Sequence, residues 1–300
     1  MNQELAKEYI KKNARPLEKA TYRYYFENGS KAEALEELRK YQNEDGGFGH
    51  ALELDNWNPL SNPIATNDAI IILHRLDAMN EAKNMVEGII RYIKSHDSFD
   101  ENRRQWQFCI ESTKDYPHAI WWEKDGDGVN PYNPTVSMAT FMVCYGENNA
   151  FYQDIVRDAF EFLQDESNEI SGDGMKCYIL CYQLLKEHGI TEIVDLSKLK
   201  DLVHHRISNI ICKEIDKYGV EYVPVPSDFF IEKDSDFLDG EITKLIQAEM
   251  EVLGKLQKDD GGFDISWEWY TPYTEFAQAR DWWRPRLTID KLLFVRNFGK

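Results

Sequence analysis

The sequence YQNEDGGFGH, at residues 41–50, places a glutamine, an acidic cluster and a glycine pair directly after a helical run. The run is ALEELRKYQ at 34–42, whose apolar residues recur at helical spacing. Gly46 and Gly47 then permit a backbone turn that a Cβ atom would obstruct. Because the chain continues into the apolar run AIIIL at 69–73, the sequence predicts a tight corner between two helices.

The same corner pattern recurs near the other end of the chain, as LQKDDGGFDISW at 256–267. A degraded copy, FEFLQDESNEISGDG, lies at 160–174, and RYIKSHDSF at 91–99 keeps the helix but lacks the glycines. Internal repeats at intervals of roughly 50 to 90 residues indicate helical hairpins that stack on their neighbours and cannot fold alone. A closed ring of such hairpins would cover every unit on both sides.

Two kinds of helical segment alternate along much of the chain. In the segments at 82–93 and 152–163 the apolar residues form a single stripe, which is typical of a helix with one face in solvent. At 69–73, 135–145 and 175–185 the apolar residues cover almost the whole circumference, so these helices must be buried on nearly every side. The economical arrangement is an outer ring of striped helices around an inner ring of apolar ones.

The sequence therefore predicts an all-α fold. Strand signals are weak, since only GVEYVPV at 219–225 alternates and two prolines interrupt its end. The predicted architecture is an α/α toroid, two concentric rings of antiparallel helices in an incomplete or complete (α/α)6-like barrel. We expect residues 1–300 to form it as a single domain.

Composition and charge argue against several classes of function. The 300 residues are 42% apolar and 13% aromatic, enough for a large core without crosslinks or metals. A formal net charge of -18, with no basic stripe, argues against nucleic acid and anionic lipid as partners. The chain shows neither a signal sequence nor an apolar run of about 18 residues, so we expect no export and no membrane span.

The cysteines lie in apolar helical stretches without the short spacings of a disulfide framework: Cys109, Cys144, Cys177, Cys181 and Cys212. Reduced thiols of this kind suit a cytoplasmic protein. We therefore expect no disulfide bond and a cytoplasmic location. The sequence leaves the oligomeric state open.

The corner has the pattern Q-x-x-D-G-G-F-G, matched well by the first copy and nearly as well by the second: Gln42, Asp45, Gly46, Gly47, Phe48 and Gly49, then Gln257, Asp260, Gly261, Gly262 and Phe263. This pattern resembles the repeat of squalene and terpenoid cyclases and of protein prenyltransferase β-subunits. The segments at 46–73 and 117–141 are also similar to small bacterial proteins that carry this repeat. The resemblance implies an α/α toroid in which Gln42 and Gln257 link helix ends.

The catalytic motifs of that superfamily match this chain only in part. The cyclases protonate an alkene with an aspartate in D-x-D-D-T-A, and the corresponding ATNDA at 65–69 keeps one carboxylate, Asp68. Asp68 is therefore a candidate catalytic acid, although an aspartate there is also an ordinary first-turn residue. Prenyltransferases bind zinc through D-x-C and a histidine, whereas Asp173 and Cys177 have a different spacing and no suitable histidine follows. We accordingly predict no metal site and no cofactor.

All eight tryptophans fall in segments predicted to be loops between helices: Trp57, Trp106, Trp121, Trp122, Trp267, Trp269, Trp282 and Trp283. Loops normally lack large aromatic residues, which gain little from burial at a surface. With His50 and Arg284, all of these tryptophans except Trp106 are candidate ligand-binding residues at the mouth of a central cavity. Such a surface suits a carbocation or ammonium, a sugar, or an isoprenoid chain. The alternative is that the loops plug the ends of the ring and bind no ligand.

The acidic pair in HALELDNW, Glu53 and Asp55, is the leading candidate for catalysis. The two carboxylates follow the first corner and precede an inner helix, and Trp57 could desolvate one of them. His118, between Pro117 and two tryptophans, is a candidate proton donor or acceptor near neutral pH. The sequence thus favours an enzyme that acts by acid–base chemistry on a hydrophobic or isoprenoid-like small molecule. A non-catalytic small-molecule or peptide-binding protein, or a carbohydrate-active hydrolase or lyase on the same fold, stays open.

Overall fold

The computed structural model describes residues 1–231 and 235–299, and this part of the chain is predominantly helical. Its twelve α-helices are α1 (Gln3–Asn13), α2 (Pro16–Phe26), α3 (Lys31–Arg39), α4 (Pro63–Arg75), α5 (Lys83–Lys94), α6 (Thr135–Tyr145), α7 (Ala150–Gln164), α8 (Gly172–Glu187), α9 (Leu196–Ile210), α10 (Pro226–Phe229), α11 (Gly240–Leu256) and α12 (Phe276–Phe298). The other regular elements of the described residues are 3-10 helices at Glu111–Asp115, Ile120–Trp122 and Ile215–Lys217, and a hairpin of β1 (Phe99–Asp100) and β2 (Gln105–Trp106). The prediction of an all-α fold is confirmed.

The chain divides into two compact units. Unit 1 comprises Met1–Leu38 and Ser208–Lys300, and unit 2 comprises Arg39–Ile207. Unit 2 is continuous in sequence, whereas unit 1 is assembled from two separate segments. The single-domain arrangement stays a prediction.

Helix α6 is the centre of unit 2 and packs against α4, α5, α7 and α8. Its sequence is apolar around the whole circumference, and nine of its eleven residues are buried. By contrast, α5 and α7 each bury a single stripe, because polar residues occupy their other faces. The predicted distinction between striped and fully covered helices is therefore present in unit 2. In the described part of the chain, no helix combines the length and apolarity that crossing a membrane requires.

Unit 1 is built around α1, α2 and α12, which pack on one another. The three helices share a buried apolar core that consists of Ala6, Ile10, Ala14, Tyr22, Ile289, Leu292 and Leu293. Helices α10 and α11 also pack against α12. The last helix is therefore the element that most of unit 1 contacts.

Helix α12 includes a segment that the sequence predicts to be a loop. The expected loop position of Trp282 and Trp283 is wrong, because both residues lie in this helix. A proline disfavours a helix interior since it lacks a backbone donor, yet α12 continues through Pro285, which is buried. Trp106 in β2, and Trp121 and Trp122 in a 3-10 helix, also lie in regular elements rather than in irregular loops.

The first corner, which leads into α4, is held by side-chain hydrogen bonds to the backbone. Gln42 Nε2 donates to the carbonyl oxygens of Gly46 and Met85, each at 3.0 Å. Asp45 Oδ1 accepts the Gly47 N–H at 2.9 Å, which closes the turn. Gln42 therefore links the corner to helix α5.

Gly46 is required at this corner for two reasons. Its φ of +98° lies in the left-handed region that side chains disfavour. A Cβ atom would also lie 2.0 Å from the carbonyl oxygen of Gly88 in α5. Beyond the turn, the N–H of the buried Phe48 donates to Thr66 Oγ1 at 3.0 Å, which fixes the path of the chain into α4.

The second corner repeats these contacts within unit 1. Gln257 Nε2 donates to the carbonyl oxygens of Gly261 and Asn2, each at 2.9 Å. The N–H of Phe263 donates to Thr288 Oγ1 at 3.0 Å. Gly261 has a φ of +96°, nearly the value found in the first corner. The two sequence motifs therefore form the same structure.

Helix α1, with its N-cap, takes the place at the second corner that α5 takes at the first. Each offers three residues at the same spacing: a carbonyl for the glutamine, a carbonyl against the first glycine, and a tyrosine ring against the second glycine. They are Met85, Gly88 and Tyr92 on one side and Asn2, Leu5 and Tyr9 on the other. The two sets share their spacing and their contacts, but the tyrosine is the only residue type that they have in common.

Candidate functional site

The N-terminal turns of α4, α6 and α8 meet in unit 2 around a cluster of buried polar side chains. Ser137 Oγ lies 2.5 Å from Asn67 Oδ1 and 2.8 Å from the Pro134 carbonyl oxygen. Asn67 Nδ2 donates to Cys177 Sγ at 3.8 Å, and this thiol lies 3.5 Å from Asn133 Oδ1. Because each polar group has a partner inside the cluster, the network holds the three helix starts in fixed positions.

Helix caps place these side chains. Asn62 and Ser171 cap α4 and α8, and each accepts the backbone N–H of the third helical residue. The caps fix where the two helices begin, so Asn67 and Cys177 follow in the second turn of their helices. Helix starts carry partial positive charge, which favours polar and anionic groups near them.

Asp68, the candidate catalytic acid, lies close enough to this cluster to affect its thiol. Burial raises the pKa of Cys177 to about 12, a shift to which the charges of Asp173 and Asp68 also contribute. The thiol is therefore neutral near pH 7 and is a poor nucleophile there. The polar cluster supplies hydrogen bonds rather than a reactive sulfur.

Reaction with a thiol reagent should distinguish Cys212, which is only partly buried, from the other cysteines. Burial raises the pKa values of Cys109, Cys144, Cys177 and Cys181 to about 12. Their thiolate fractions at pH 8 are then about one in ten thousand. We expect an aromatic disulfide reagent to modify one thiol rapidly in the native chain and all five after unfolding. Cys212→Ser should remove the rapid phase and Cys181→Ser should not; a second rapid thiol would contradict the assignment.

Two loop segments that are far apart in sequence pair directly in unit 2. Backbone hydrogen bonds of 2.9 and 3.0 Å join the segment around Asn56 to the segment around His118, and these two residues form an antiparallel bridge. Side chains alternate between the faces of an extended strand, so Asn56 and His118 share one face, and Asp55 and Trp57 lie on the other. The predicted candidates are thus brought together, but an amide rather than a carboxylate is the cross-strand neighbour of His118.

The ring of His118 is buried, with 3% of the residue exposed, and it has a defined tautomer. Nδ1 lies 2.6 Å from the Tyr116 carbonyl oxygen, which requires Nδ1 to carry a proton. In the neutral ring, Nε2 is then the nitrogen that accepts a proton. Nε2 lies 4.0 Å from the carboxylate of Glu123, whose side chain is 62% exposed. Nε2 is itself buried and therefore lies directly beneath the exposed side chain of Glu123.

Three of the predicted residues stabilise the loop around the first corner and before α4. The Glu53 carboxylate accepts the backbone N–H two residues further on, at 3.1 Å. The indole N–H of Trp57 donates to the Leu54 carbonyl oxygen at 2.9 Å. His50 Nε2 lies 2.8 Å from Asn43 Oδ1. These contacts give each side chain a structural role, and ligand binding by them stays a prediction.

The tryptophan pair that follows His118 occupies two environments. Trp122 is buried and stacks on Phe108, with ring centroids 4.6 Å apart. Trp121 is only partly buried, and its carbonyl oxygen accepts the thiol of Cys109 at 3.2 Å. Of the two indoles, Trp121 is therefore the one that a ligand at the surface could touch.

The other tryptophan candidates lie in unit 1 and contact one another and nearby cations. Trp267 meets Trp283 edge to face, with centroids 5.2 Å apart. The guanidinium of Arg15 lies 5.3 Å from the ring of Trp282. Trp269 is 1% exposed and belongs to the core. Trp267, Trp282 and Trp283 are partly buried, so each retains some accessible ring surface.

Arg284, a candidate ligand-binding residue, is engaged in the second corner. Its Nη2 lies 2.9 and 2.8 Å from the two carboxylate oxygens of Asp260, and its guanidinium lies 4.9 Å from the ring of Tyr9. Arg280 pairs with Asp264, and this hydrogen bond holds the pKa of Asp264 below its ordinary value. Both cations are thus already balanced by carboxylates, and ligand binding by Arg284 stays a prediction.

A cleft of about 640 Å³ opens beside the first corner of unit 2. Four carboxylates, three serine hydroxyls and two side-chain amides make up most of its lining. The described residues that line it include none of the predicted catalytic side chains. The cleft is nevertheless linked to the paired loops, because Asn58 Nδ2 donates to Ser112 Oγ in the cleft wall at 2.8 Å.

Sequence reasoning missed Asn56, Asn67 and Ser137. A signal existed for Ser137, because a hydroxyl within an otherwise apolar helix indicates a hydrogen-bond partner in the interior. In ATNDA at 65–69 the resemblance to a catalytic motif involves Asp68 and gives no role to the preceding Asn67. Nothing local marks Asn56 as the partner of His118, since the pairing joins two distant loops.

The described part of the chain holds no group of three or more His, Cys, Asp or Glu side chains arranged to bind a metal ion. The case for a function therefore rests on the contacts described above. Comparisons with protein-family models, with curated proteins and with solved structures find no match to this chain.

Proposed function

We propose that this chain is an enzyme in which His118 transfers a proton to or from a small organic molecule. The observation that carries the proposal is the fixed ring of His118: Nδ1–H donates to the Tyr116 carbonyl oxygen at 2.6 Å, and the buried Nε2 lies 4.0 Å from the exposed carboxylate of Glu123. A general acid–base residue needs one ring orientation and a titrating nitrogen that a substrate can reach. His118 has the fixed orientation, and because its Nε2 is buried, a substrate would reach this nitrogen by displacing the exposed side chain of Glu123.

The neighbours of His118 have roles that follow from their chemistry. Glu123 would stabilise the imidazolium that forms when Nε2 takes a proton, because an opposite charge favours the charged form. Asn56 supplies an amide on the same face, suited to orienting a polar group of the substrate. Glu53 and Asp55 remain part of the proposal as acidic groups beside the site. The geometry favours His118 over them, because the Glu53 carboxylate accepts a turn N–H and Asp55 lies on the opposite face.

The hydrophobic or isoprenoid-like substrate implied by the resemblance is part of the proposal. It is supported by the aromatic residues that lie on the two paired segments or directly after them, Trp57, Trp121 and Trp122. Indole faces attract both apolar chains and delocalised cations. A substrate that carries an alkene or a carbonyl group next to an apolar chain would combine these contacts with proton transfer at Nε2.

We also propose that the helices form an α/α toroid. Support comes from the fully covered α6 beside the striped α5 and α7, and from the identical contacts of the two corners. In such a ring, the loops that precede inner helices lie at one end. The loops that precede α4 and α6 are the ones that carry Asn56 and His118.

Incubation of the protein with a protein-free extract of small molecules, followed by mass spectrometry, tests the proposed enzyme. Wild-type protein should convert at least one compound with time. His118→Gln should reduce that rate by about 10²–10⁴-fold, the usual contribution of general acid–base catalysis. Glu123→Gln should reduce it less, because Glu123 acts on His118 rather than on the substrate.

The matched control is His205→Gln, which replaces an exposed histidine of unit 2 that also faces a glutamate. It should leave the conversion unchanged. Conversion by His118→Gln at the wild-type rate would contradict the role of His118. If a compound binds to the wild type and is recovered intact, with no conversion of any compound, the protein is a binding protein and the proposed enzymatic activity is wrong.

A further inference from the structure

We propose that Tyr222 and Trp267 of unit 1, which we call the aromatic pair, bind the trimethylammonium group of a small organic cation. Tyr222 follows the 3-10 helix at Ile215–Lys217, and Trp267 follows the second corner. Two segments that are distant in sequence therefore bring these rings together. The proposal does not depend on proton transfer by His118.

The aromatic pair forms an open angle. The ring centroids lie 5.4 Å apart, and the ring planes are inclined at 71° to each other. A trimethylammonium group placed in such an angle touches the faces of both rings at once, and each face attracts the cation through its negative charge density. A sugar stacks on the face of a single ring, so the inclined second ring gives it no further stacking surface. The geometry therefore favours a compact cation over a sugar.

Helix α12 holds Trp267 in this orientation. The ring of Trp267 meets the ring of Trp283 at 85°, with centroids 5.2 Å apart, and Trp283 lies in α12. The guanidinium of Arg286 lies 5.1 Å from the Trp283 ring and would repel a second cation there. Trp283 is therefore a positioning residue, and the ligand contacts the aromatic pair.

Tyr222 is accessible to a ligand from solvent. It is 68% exposed, whereas Trp267 is partly buried. A tyrosine that stays in water after folding retains most of its apolar ring surface for another partner. The methyl groups of a bound ligand would cover part of this surface, so apolar burial adds to the cation–π attraction.

The charge around the aromatic pair is negative. The segments at 219–228 and 264–275, which carry the two rings, contain no lysine or arginine and five carboxylates: Glu221, Asp228, Asp264, Glu268 and Glu275. Arg280 balances Asp264. Glu221 and Glu268 are exposed, and each is the sequence neighbour of one ring of the pair. Their charges attract a cation over several ångströms without direct contact, and they disfavour an anionic ligand.

A quaternary ammonium fits this surface better than a primary ammonium does. A primary ammonium is a compact, strongly hydrated charge, and two rings that face solvent offer no hydrogen-bond acceptor to replace its water. A trimethylammonium group spreads its charge over methyl groups, which make apolar contacts and cation–π contacts together. Choline is the simplest compound with this group and an uncharged remainder.

Titration of ¹⁵N-labelled protein with choline chloride, at constant ionic strength, tests the proposal. The indole N–H resonances report binding, and Trp267→Phe identifies the resonance of Trp267. Wild-type protein should show a saturable shift of this resonance with a millimolar dissociation constant, because the contacts with exposed rings are weak. The uncharged isostere 3,3-dimethylbutan-1-ol should bind at least about fivefold more weakly.

Tyr222→Ala should weaken choline binding about fivefold, and Tyr222→Phe should retain it because the ring remains. The matched control is Tyr270→Ala, which removes a tyrosine that is 71% exposed and lies in the same segment as Trp267. It should leave the affinity unchanged. Equal weakening by Tyr222→Ala and Tyr270→Ala would overturn the proposal.

Three further outcomes would also overturn the proposed site. They are equal affinity for choline and its uncharged isostere, a shift of the Trp267 resonance with glucose but not with choline, and binding to phosphatidylcholine vesicles without a response to free choline. The last outcome would assign the surface to a membrane rather than to a small molecule. None of these results bears on His118, so this proposal and the proposed enzyme are tested separately.

Discussion

Replacing Gly46 with alanine should lower the free energy of unfolding by about 2–5 kcal/mol. Two costs combine in this estimate. A residue with a Cβ pays about 1–2 kcal/mol to adopt the φ of +98° found at Gly46. The new methyl group would also lie 2.0 Å from the Gly88 carbonyl oxygen, so α5 must move, at about 1–3 kcal/mol. Urea unfolding followed by circular dichroism measures the loss.

Two glycines of the same chain separate these costs. Gly189 has a φ of +65° with open space around it, so Gly189→Ala should show only the backbone cost of about 1–2 kcal/mol. Gly240 has neither a positive φ nor a close neighbour, and Gly240→Ala should change stability by less than about 0.5 kcal/mol. If Gly46→Ala were as stable as Gly240→Ala, the close approach of the corner to α5 would be disproved.

Replacing Lys291 with methionine should cost about 3–5 kcal/mol, because it leaves a buried carboxylate without its counter-charge. Lys291 Nζ lies 2.7 Å from Glu249 Oε1, and Glu249 is 1% exposed. The same carboxylate accepts the N–H and the hydroxyl of Ser227 at 2.9 and 2.5 Å. The group therefore joins α10, α11 and α12 in unit 1.

Alkaline unfolding provides a second measurement of this ion pair. Burial alone would lower the pKa of Lys291, but the charges of Glu249 and Asp228 hold it above the ordinary value of 10.5. A raised pKa in the folded state means that the stabilisation is complete below pH 10.5 and is lost as the pH rises through the folded value. Lys291→Met should therefore lack this alkaline loss.

The double variant Glu249→Gln with Lys291→Met should recover much of the stability lost by Lys291→Met, because it removes both buried charges. The control is Lys217→Met, which breaks an exposed pair with Glu214. It should leave the unfolding midpoint unchanged, since exposed ion pairs contribute little. A double variant no more stable than Lys291→Met would show that packing, rather than an unpaired charge, explains the loss.

The sequence predicted the two corners because their causes are local. A glycine with a positive φ, an aspartate that accepts an N–H two residues on, and a glutamine that closes the turn all lie within a few residues. The helices to which Gln42 and Gln257 link the corners could not be predicted in the same way. They contribute backbone carbonyls, which every residue possesses, so α5 and α1 share almost no sequence signal at these contacts.

The candidate site was predictable by residue type but not by arrangement. His118 stood out because histidine titrates near neutral pH and because tryptophans surround it. Its neighbour could not be inferred, since the register between two loop segments depends on long-range pairing, and a shift of one residue reverses every side chain. The sequence favours the acidic pair of Glu53 and Asp55, whereas the residue opposite His118 is Asn56.

The place of α1 at the second corner has a consequence for synthesis on the ribosome. The contact of Gln42 with α5 spans 43 residues, whereas the contact of Gln257 with Asn2 spans 255. Helix α1 is therefore translated long before α12, and the part of α1 that α12 covers stays exposed in the meantime. Because unit 2 lies between these segments in the sequence, α1 and α2 are the helices that a chaperone would need to shield while unit 2 is translated.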